Sequence, residues 1–486
     1  MNYLKLIASF GIILLVFLLS TCKTDDQIIN LEGSKFPTDV GKLLLTKCAT
    51  PGCHNNISKE GASGLSLETW DDLFKGTRNG AAVIPYNHEL STLFLYTNHF
   101  IELGISNKPN MPIGDEPLTK DEVILLRDWI DKGAPNKEGF VKFSDNPKRK
   151  KFYVPNQGCD LVFVFDAESG LPMRAIKVGN SLAVESPHQV RVSADGKYWY
   201  VVFINGQTIQ KYRCSDDSYV GQVNIGFGNW NTLLLKKDNK HAYAVDFSGS
   251  GNIVYVDLEN LTLVLSYLGA FYSFPHGQAY NRNEDTLYLL SQQTNQYYKI
   301  DIADPIGNPD TGLPAKTFDG AITSLEAHDI KFSPDGNSYY VTCQKTNDVR
   351  VYSRFTDALI ATIPVGGYPQ ELSFSTSTDY LFITCMEDEI TFPGNVGSVA
   401  VINYKNNTLV KSIYTGTQPH GIAVDDNKKL VYVANRNATT KGPAPHHTSL
   451  CGGRNGSVSV IDLNTLTLTN KKIEVSVDPY FVDIRN

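Results

Sequence analysis

Methionine is scarce in this chain, four residues in 486, and between positions 2 and 172 there is one, Met111. Positive charge is not in excess: 44 Lys and Arg against 51 Asp and Glu leave a net charge of −7, so nothing electrostatic argues for a nucleic-acid partner. After the N-terminal apolar run there is no second long one. Nor is there a Walker loop, a Rossmann fingerprint or a Ser-His-Asp order in working context. Gly249-Ser250-Gly251 reads as a hairpin turn rather than a phosphate loop, and Asp425-Asp426-Asn427 as turn chemistry rather than a calcium site. What remains, with 42% hydrophobic residues, is ample material for two globular cores.

The most informative residues that are present are Cys48-Ala-Thr-Pro-Gly-Cys53-His54 and the isolated Asn110-Met111-Pro112. Two thiols can form thioethers with porphyrin vinyl groups, His54 can ligate one face of the iron, and the Met111 thioether can ligate the other. The usual attachment signature has two residues between the cysteines and this one has four. The competing readings are a Cys48–Cys53 disulfide beside an incidental histidine, or a metal site. Covalent haem c is the expected cofactor, and one-electron transfer the expected trade.

Further residues follow in a specific order: Gly64-Leu65-Ser66-Leu67, Trp70, Leu73, Gly76, Ile84-Pro85, Ser91-Thr92-Leu93, Met111-Pro112, Leu118-Thr119 and finally Leu126-Arg127-Asp128-Trp129-Ile130-Asp131-Lys132-Gly133-Ala134-Pro135. Residues 36–137 thereby resemble the small all-α cytochrome c-like domains of the Planctomycetes and Bacteroidetes type. The last helix is legible on its own terms. Thr119 with Glu122 predicts a capping box, Val123, Leu126 and Ile130 an apolar stripe, and Gly133 then Pro135 the stop.

Lys5 precedes the apolar stretch Leu6 to Leu19, too short to span a membrane comfortably and shaped like a secretory signal. Leu19-Ser20-Thr21-Cys22 resembles a bacterial lipobox, implying a signal over residues 1–22, acylation of Cys22 and a tether over 23–35. A plain cleaved signal and an N-terminal anchor helix are the alternatives. All three export the chain, and haem attachment and disulfide formation both belong outside the cytoplasm. The expected location is the outer membrane, lipid-anchored, on its periplasmic or outer face. With Cys22, Cys48 and Cys53 assigned, Cys159, Cys214, Cys343, Cys385 and Cys451 remain. An odd remainder leaves at least one free thiol.

After a linker over residues 138–150 the sequence becomes a repeat. Each unit opens with a short strand after a Pro-x dipeptide, passes a turn such as Ser333-Pro334-Asp335-Gly336 and runs into strands such as Tyr339-Tyr340-Val341-Thr342. Few helix formers and alternating residues make these four-stranded blades. The openings fall at Pro187-His188, Asn229-Trp230, Pro275-His276, Ala327-His328, Pro369-Gln370, Pro419-His420 and Pro479-Tyr480. The last has no blade after it, while the first blade, at Phe152-Tyr153-Val154-Pro155, lacks its opening strand. Strand 477–486 is therefore expected to close a seven-bladed β-propeller over 151–486 and remove its exposed edges. Tyr340-Val341-Thr342-Cys343 and Tyr432-Val433-Ala434-Asn435 resemble the YVTN-type propellers, which are similar to those of nitrous-oxide reductase and the cytochrome-type nitrite reductases.

Equivalent positions on innermost strands form a ring at the channel mouth, and here they are Tyr480, His188, Trp230, His276, His328, Gln370 and His420. His446 and His447, in a long Gly/Pro loop with Cys451, are expected to fold over the same mouth. Converging neutral imidazoles suit copper, zinc or iron, and nitrous-oxide reductase, to which these propellers are similar, mounts its copper–sulfur cluster on a histidine ring at the equivalent place; here there are fewer histidines, with Trp230, Gln370 and Tyr480 interrupting. The alternative is that Pro-His merely opens blades.

Three functions follow. The chain is an exported c-type haem protein in electron transfer, with a redox partner protein and the propeller as docking or active-site scaffold; or a haem-dependent redox enzyme with a metal or small-molecule site at the His-lined mouth; or a surface-exposed binding lipoprotein.

Overall fold

The computed structural model describes residues 30–267, 271–318, 324–438, 451 and 454–485. The expected signal, Cys22 and the His446-His447 pair lie outside the described residues.

Seven four-stranded antiparallel sheets follow one another around a central channel. Blade 2 illustrates the pattern, with strands Pro187–Val192, Tyr198–Phe203, Thr208–Arg213 and Tyr219–Asn224 from the channel outward. Burial decays in that order. Tyr198–Phe203 is almost wholly buried between neighbouring blades, whereas Tyr219–Asn224 is half exposed at the rim. The β-branched and aromatic composition of the inner strands fits this: such side chains pack well on a pleated surface covered on both faces.

Blade 1 is composite. Its strands Lys151–Asn156, Leu161–Asp166 and Leu171–Lys177 are joined on the channel side by Asp483–Arg485, in register Lys151 with Arg485, Phe152 with Ile484 and Tyr153 with Asp483. An isolated bridge between Asn156 and Pro479 extends the pairing. The ring is thus closed by its C-terminal strand as expected, which gives blade 1 its fourth strand.

Cys159, in the turn after the first strand of blade 1, is disulfide-bonded to Cys451 in the long connection within blade 7. The bond lies across the same seam. Cys214, Cys343 and Cys385 are buried free thiols.

Before the propeller come the helices Leu31–Ser34, Thr38–Lys47, Trp70–Leu73, Thr92–Thr97 and Lys120–Asp131. The last begins with the expected capping box, Thr119 accepting from the Glu122 amide while Glu122 accepts from Thr119. It buries Val123, Leu126, Trp129 and Ile130. Indole N–H groups tie its end down: Trp129 Nε1 donates to Pro135 O and Trp70 Nε1 to Ala134 O, each at 2.9 Å.

These helices are packed on the rim of blades 1 and 7. Ala81, Ile84 and Leu90 share one apolar cluster with Phe152, Phe163, Val458 and Ile473. The approach is close: a Cβ at Gly80, φ +123°, would sit 2.9 Å from Ile473 Cγ2, so this position requires glycine. Beside it the Glu474 amide donates to Asn79 O at 3.0 Å, adding a backbone bond across the junction.

Candidate functional sites

The first site is built by the helical segment. Cys48 caps the helix Thr38–Lys47, and a tight loop returns the chain, with the Cys53 amide donating to Thr50 O and the His54 amide to Cys48 O. Asn55 ties that loop to the following turn, its Nδ2 donating to Thr50 O at 3.2 Å and its Oδ1 accepting from the amides of Ile57 and Ser58. The four-residue spacing is accommodated without a bond between the two thiols, which are both free. Burial pushes the Cys48 thiol up to about 12, so it is no thiolate at neutral pH.

His54 Nδ1 faces the Leu65 carbonyl oxygen at 3.3 Å. A carbonyl can only accept, so Nδ1 carries the proton and Nε2 keeps its lone pair. Burial also lowers the imidazole pKa, favouring the neutral, ligating form. Met111 is positioned from the other side, its amide donating to Tyr96 O at 2.8 Å, with the neighbouring Asn110 Nδ2 donating to Asn98 O at 3.1 Å. Cys48, His54 and Met111 line one cavity of about 330 Å³, walled by Leu65, Leu67, Leu93 and Tyr96. One wall, Glu474, comes from blade 7.

The second site is the channel mouth. In blades 2 to 7 the ladder between the innermost strand and its neighbour shifts register directly after the first residue, as between Pro275 and Gln278 or Ala327 and Ile330. The bulge releases the next residue from the ladder. His188, Asn231, His276, His328, Gln370 and His420 occupy these positions and, with Tyr480, line a cavity of about 270 Å³. Ring centroids lie 4.0 Å apart for His276 and His328, 5.3 Å for His328 and His420, 3.7 Å for His420 and Tyr480, and 4.0 Å for His188 and Tyr480.

The expected ring is corrected in one blade. Trp230 takes the proline-equivalent place, buries its indole against Tyr200, Val202 and Leu233 and donates from Nε1 to Gly226 O at 2.8 Å, while Asn231 faces the channel. With neither proline nor histidine at Asn229-Trp230, the residue that faces the channel lies one place later than this dipeptide indicates.

The ring imidazoles are uncharged. Burial first, then their mutual proximity and Arg436, holds His188 and His420 well below the usual range; burial and the neighbouring imidazoles do the same for His328, and burial brings His276 to about 4. Nδ1 of His276 faces His328 O at 2.9 Å and Nδ1 of His420 faces Tyr480 O at 3.1 Å. Nδ1 of His188 and His328 and Nε2 of His420 have no hydrogen-bond partner although buried, and both side-chain polar atoms of Asn231 are likewise unpaired. Among the described residues no group of three or more His, Cys, Asp or Glu side chains has the geometry to hold a metal ion.

Three contributors to this mouth have no mark in the sequence. Arg436 lines it, paired with Asp478 by bonds of 2.6 and 3.0 Å. Deeper in, Asp329 accepts from the amides of Ile330 and Leu372 and from Lys331 Nζ. Glu371, buried against that carboxylate, is raised to about 8 by burial first and then by Asp329. Only the alternation of the inner strands, which sends Asp329 and Glu371 to adjoining places on consecutive blades, could have flagged the pair.

No family model matches the chain, and no curated protein matches it. Solved structures do. A protein of unknown function from Desulfotomaculum acetoxidans superposes with a TM-score of 0.53 at 13% identity, covering 69% of this chain and 98% of that one. Two candidate 6-phosphogluconolactonases give TM-scores of 0.52 and 0.51: one from Bacteroides uniformis at 16% identity covering 69% and 99%, one from Bacteroides fragilis at 17% covering 71% and 99%. At these identities the likeness is one of fold. The chain is a seven-bladed β-propeller protein with an added helical segment.

Proposed function

We propose that the chain is an exported c-type haem protein in electron transfer, residues 36–137 forming a cytochrome c-like unit and the propeller a docking or active-site scaffold. The observation that carries this is the convergence of Cys48, His54 and Met111 on one largely apolar cavity, with Cys53 beside His54 and both thiols unbonded. The residues fit the group: Cys48 and Cys53 would hold it covalently, His54 and Met111 would ligate its iron, and haem when bound would supply reversible one-electron chemistry. The chain's own work is to hold His54 in one tautomer through Leu65 O, to seat Met111 on the Tyr96 carbonyl, and to exclude water with Leu65, Leu67 and Leu93. Cys22, as the lipidated residue, would anchor the molecule to the outer membrane, periplasmic or surface-exposed, where a redox partner protein meets it.

The test is maturation in a periplasm with haem-attachment machinery. Haem should survive acid–acetone extraction and give a low-spin reduced spectrum; haem lost on extraction sinks the reading.

A second reading is favoured by the unpartnered nitrogens of His188, His328 and His420 and by the unpaired Asn231. Buried polar groups without partners are costly, so a ligand that satisfies them gains what the fold forgoes. The mouth then holds a small molecule or a copper, zinc or iron ion, and the haem unit serves it as electron inlet. Elemental analysis of the purified protein separates ion from molecule.

A further inference from the structure

We propose that Glu474 and Arg454, both in blade 7 of the propeller, form the polar wall of the haem site and set its reduction potential, so that helical segment and propeller act as one redox unit. This rests on the haem reading above.

Glu474 lines the cavity that holds His54 and Met111, and it is 5% exposed. Arg454 stands directly behind it, 1% exposed, with Nη1 donating to the Glu474 carbonyl at 2.8 Å and Nη2 donating to Leu90 O in the helical segment. Its Nε has no partner. Tyr96, whose carbonyl seats Met111, lines the same cavity as Glu474. A buried guanidinium bonded mainly to neutral carbonyls is costly to keep, and its placement against a ligand-holding wall gives that cost a use.

The physics has a sign. Oxidised haem carries one more positive charge than reduced haem, so a buried cation nearby favours reduction and a buried carboxylate favours oxidation. Both groups are shielded from solvent, so salt screens them little.

The experiment uses the full-length matured protein. Haem per chain is measured by pyridine haemochrome, the midpoint potential by optical redox titration at low and high salt, and folding by thermal melting. Glu474→Gln should raise the potential, Arg454→Met should lower it, and Arg454→Lys should restore most of the loss, with haem per chain unchanged and the shifts kept at high salt. Unchanged potentials, or shifts of one sign in Glu474→Gln and Arg454→Met, overturn the proposal. If Arg454→Met fails to fold, the isosteric Glu474→Gln decides alone. Absence of covalent haem in the unaltered protein defeats the underlying reading instead, and is seen before any variant is made.

Discussion

Glu474 and Tyr480 sit six residues apart on one stretch of chain and belong to two different cavities. Glu474 walls the pocket of His54 and Met111, and Tyr480 packs between His188 and His420 at the channel mouth, its ring tilted against both. Between them, Ser476 bonds to the Cys451 carbonyl and Asp478 grips Arg436. Even fully extended, such a stretch spans at most about 22 Å. The two sites are near neighbours by covalent necessity.

Replacing Met111 by alanine should leave the haem attached but lower its potential, because the thioether favours ferrous iron. Replacing Cys53 should reduce covalent attachment. Spectra of the two variants after acid–acetone extraction distinguish these effects.

The seam of blade 1 offers a stability test. Breaking the Cys159–Cys451 bond by Cys159→Ser should cost about 2–4 kcal/mol. Deleting residues 477–486 should cost far more, because two strand edges open at once. Thermal melting under non-reducing conditions reads both, and an unchanged melting temperature after the deletion would count against closure by this strand.

Glu371 gives a pH dependence of definite sign. Its folded pKa, about 8, lies above that of a free carboxyl because burial and Asp329 oppose ionisation, while Lys331 and Arg191 only partly compensate. Asp483, buried in the same channel with its pKa raised by burial, acts in the same direction. The folded state therefore binds protons that the unfolded chain has released, and this share of stability is present below the ordinary carboxyl range and is lost as pH rises toward 8. Urea unfolding across pH 5 to about 8.5 should show stability falling, and Glu371→Gln should flatten the fall.

Asp426 behaves oppositely. It accepts from the hydroxyls of Ser375, Thr376 and Ser377 on the neighbouring blade, which hold its carboxyl down to about 2 despite partial burial. Its contribution is present above the ordinary carboxyl range and disappears as pH falls toward 2. Asp426→Asn should cost about 1 kcal/mol at neutral pH, the site being partly exposed, and melting measurements would read it.

The ring can be tested by His276→Ala combined with His328→Ala. If the mouth holds copper, zinc or iron, metal that copurifies with the native protein beyond the haem iron should be absent from this variant by elemental analysis, two imidazoles of one site having gone.

Repetition made the propeller legible. Pro-His in three repeats and Ala-His in a fourth mark both strand start and channel side, so the convergence of His188, His276, His328 and His420 follows from counting. The count failed where the marker was missing, and only the bulge shows that Asn231, not Trp230, turns inward. Cys48, Cys53, His54 and Met111 stand out in the sequence because their chemistry is rare in combination. Glu474 and Arg454 were invisible for the converse reason: on an outer strand and at the end of a long connection they look like solvated charges, and only the docking of the helical segment buries them. The Cys159–Cys451 pairing was similarly hidden, since its partners are separated by 292 residues and adjoin only when the ring closes.

That closure sets an order of assembly. Blade 1 starts at Lys151 but is completed by Asp483–Arg485, so the ring stays open until nearly the whole chain has been made. The wall that Glu474 gives to the first cavity arrives equally late. Until then the Cys48–His54 loop, made first, is open on the side later covered by blade 7. On the proposed haem reading, an attaching enzyme would have its widest access to these thiols in that interval, and closure of the ring would then seal the group in.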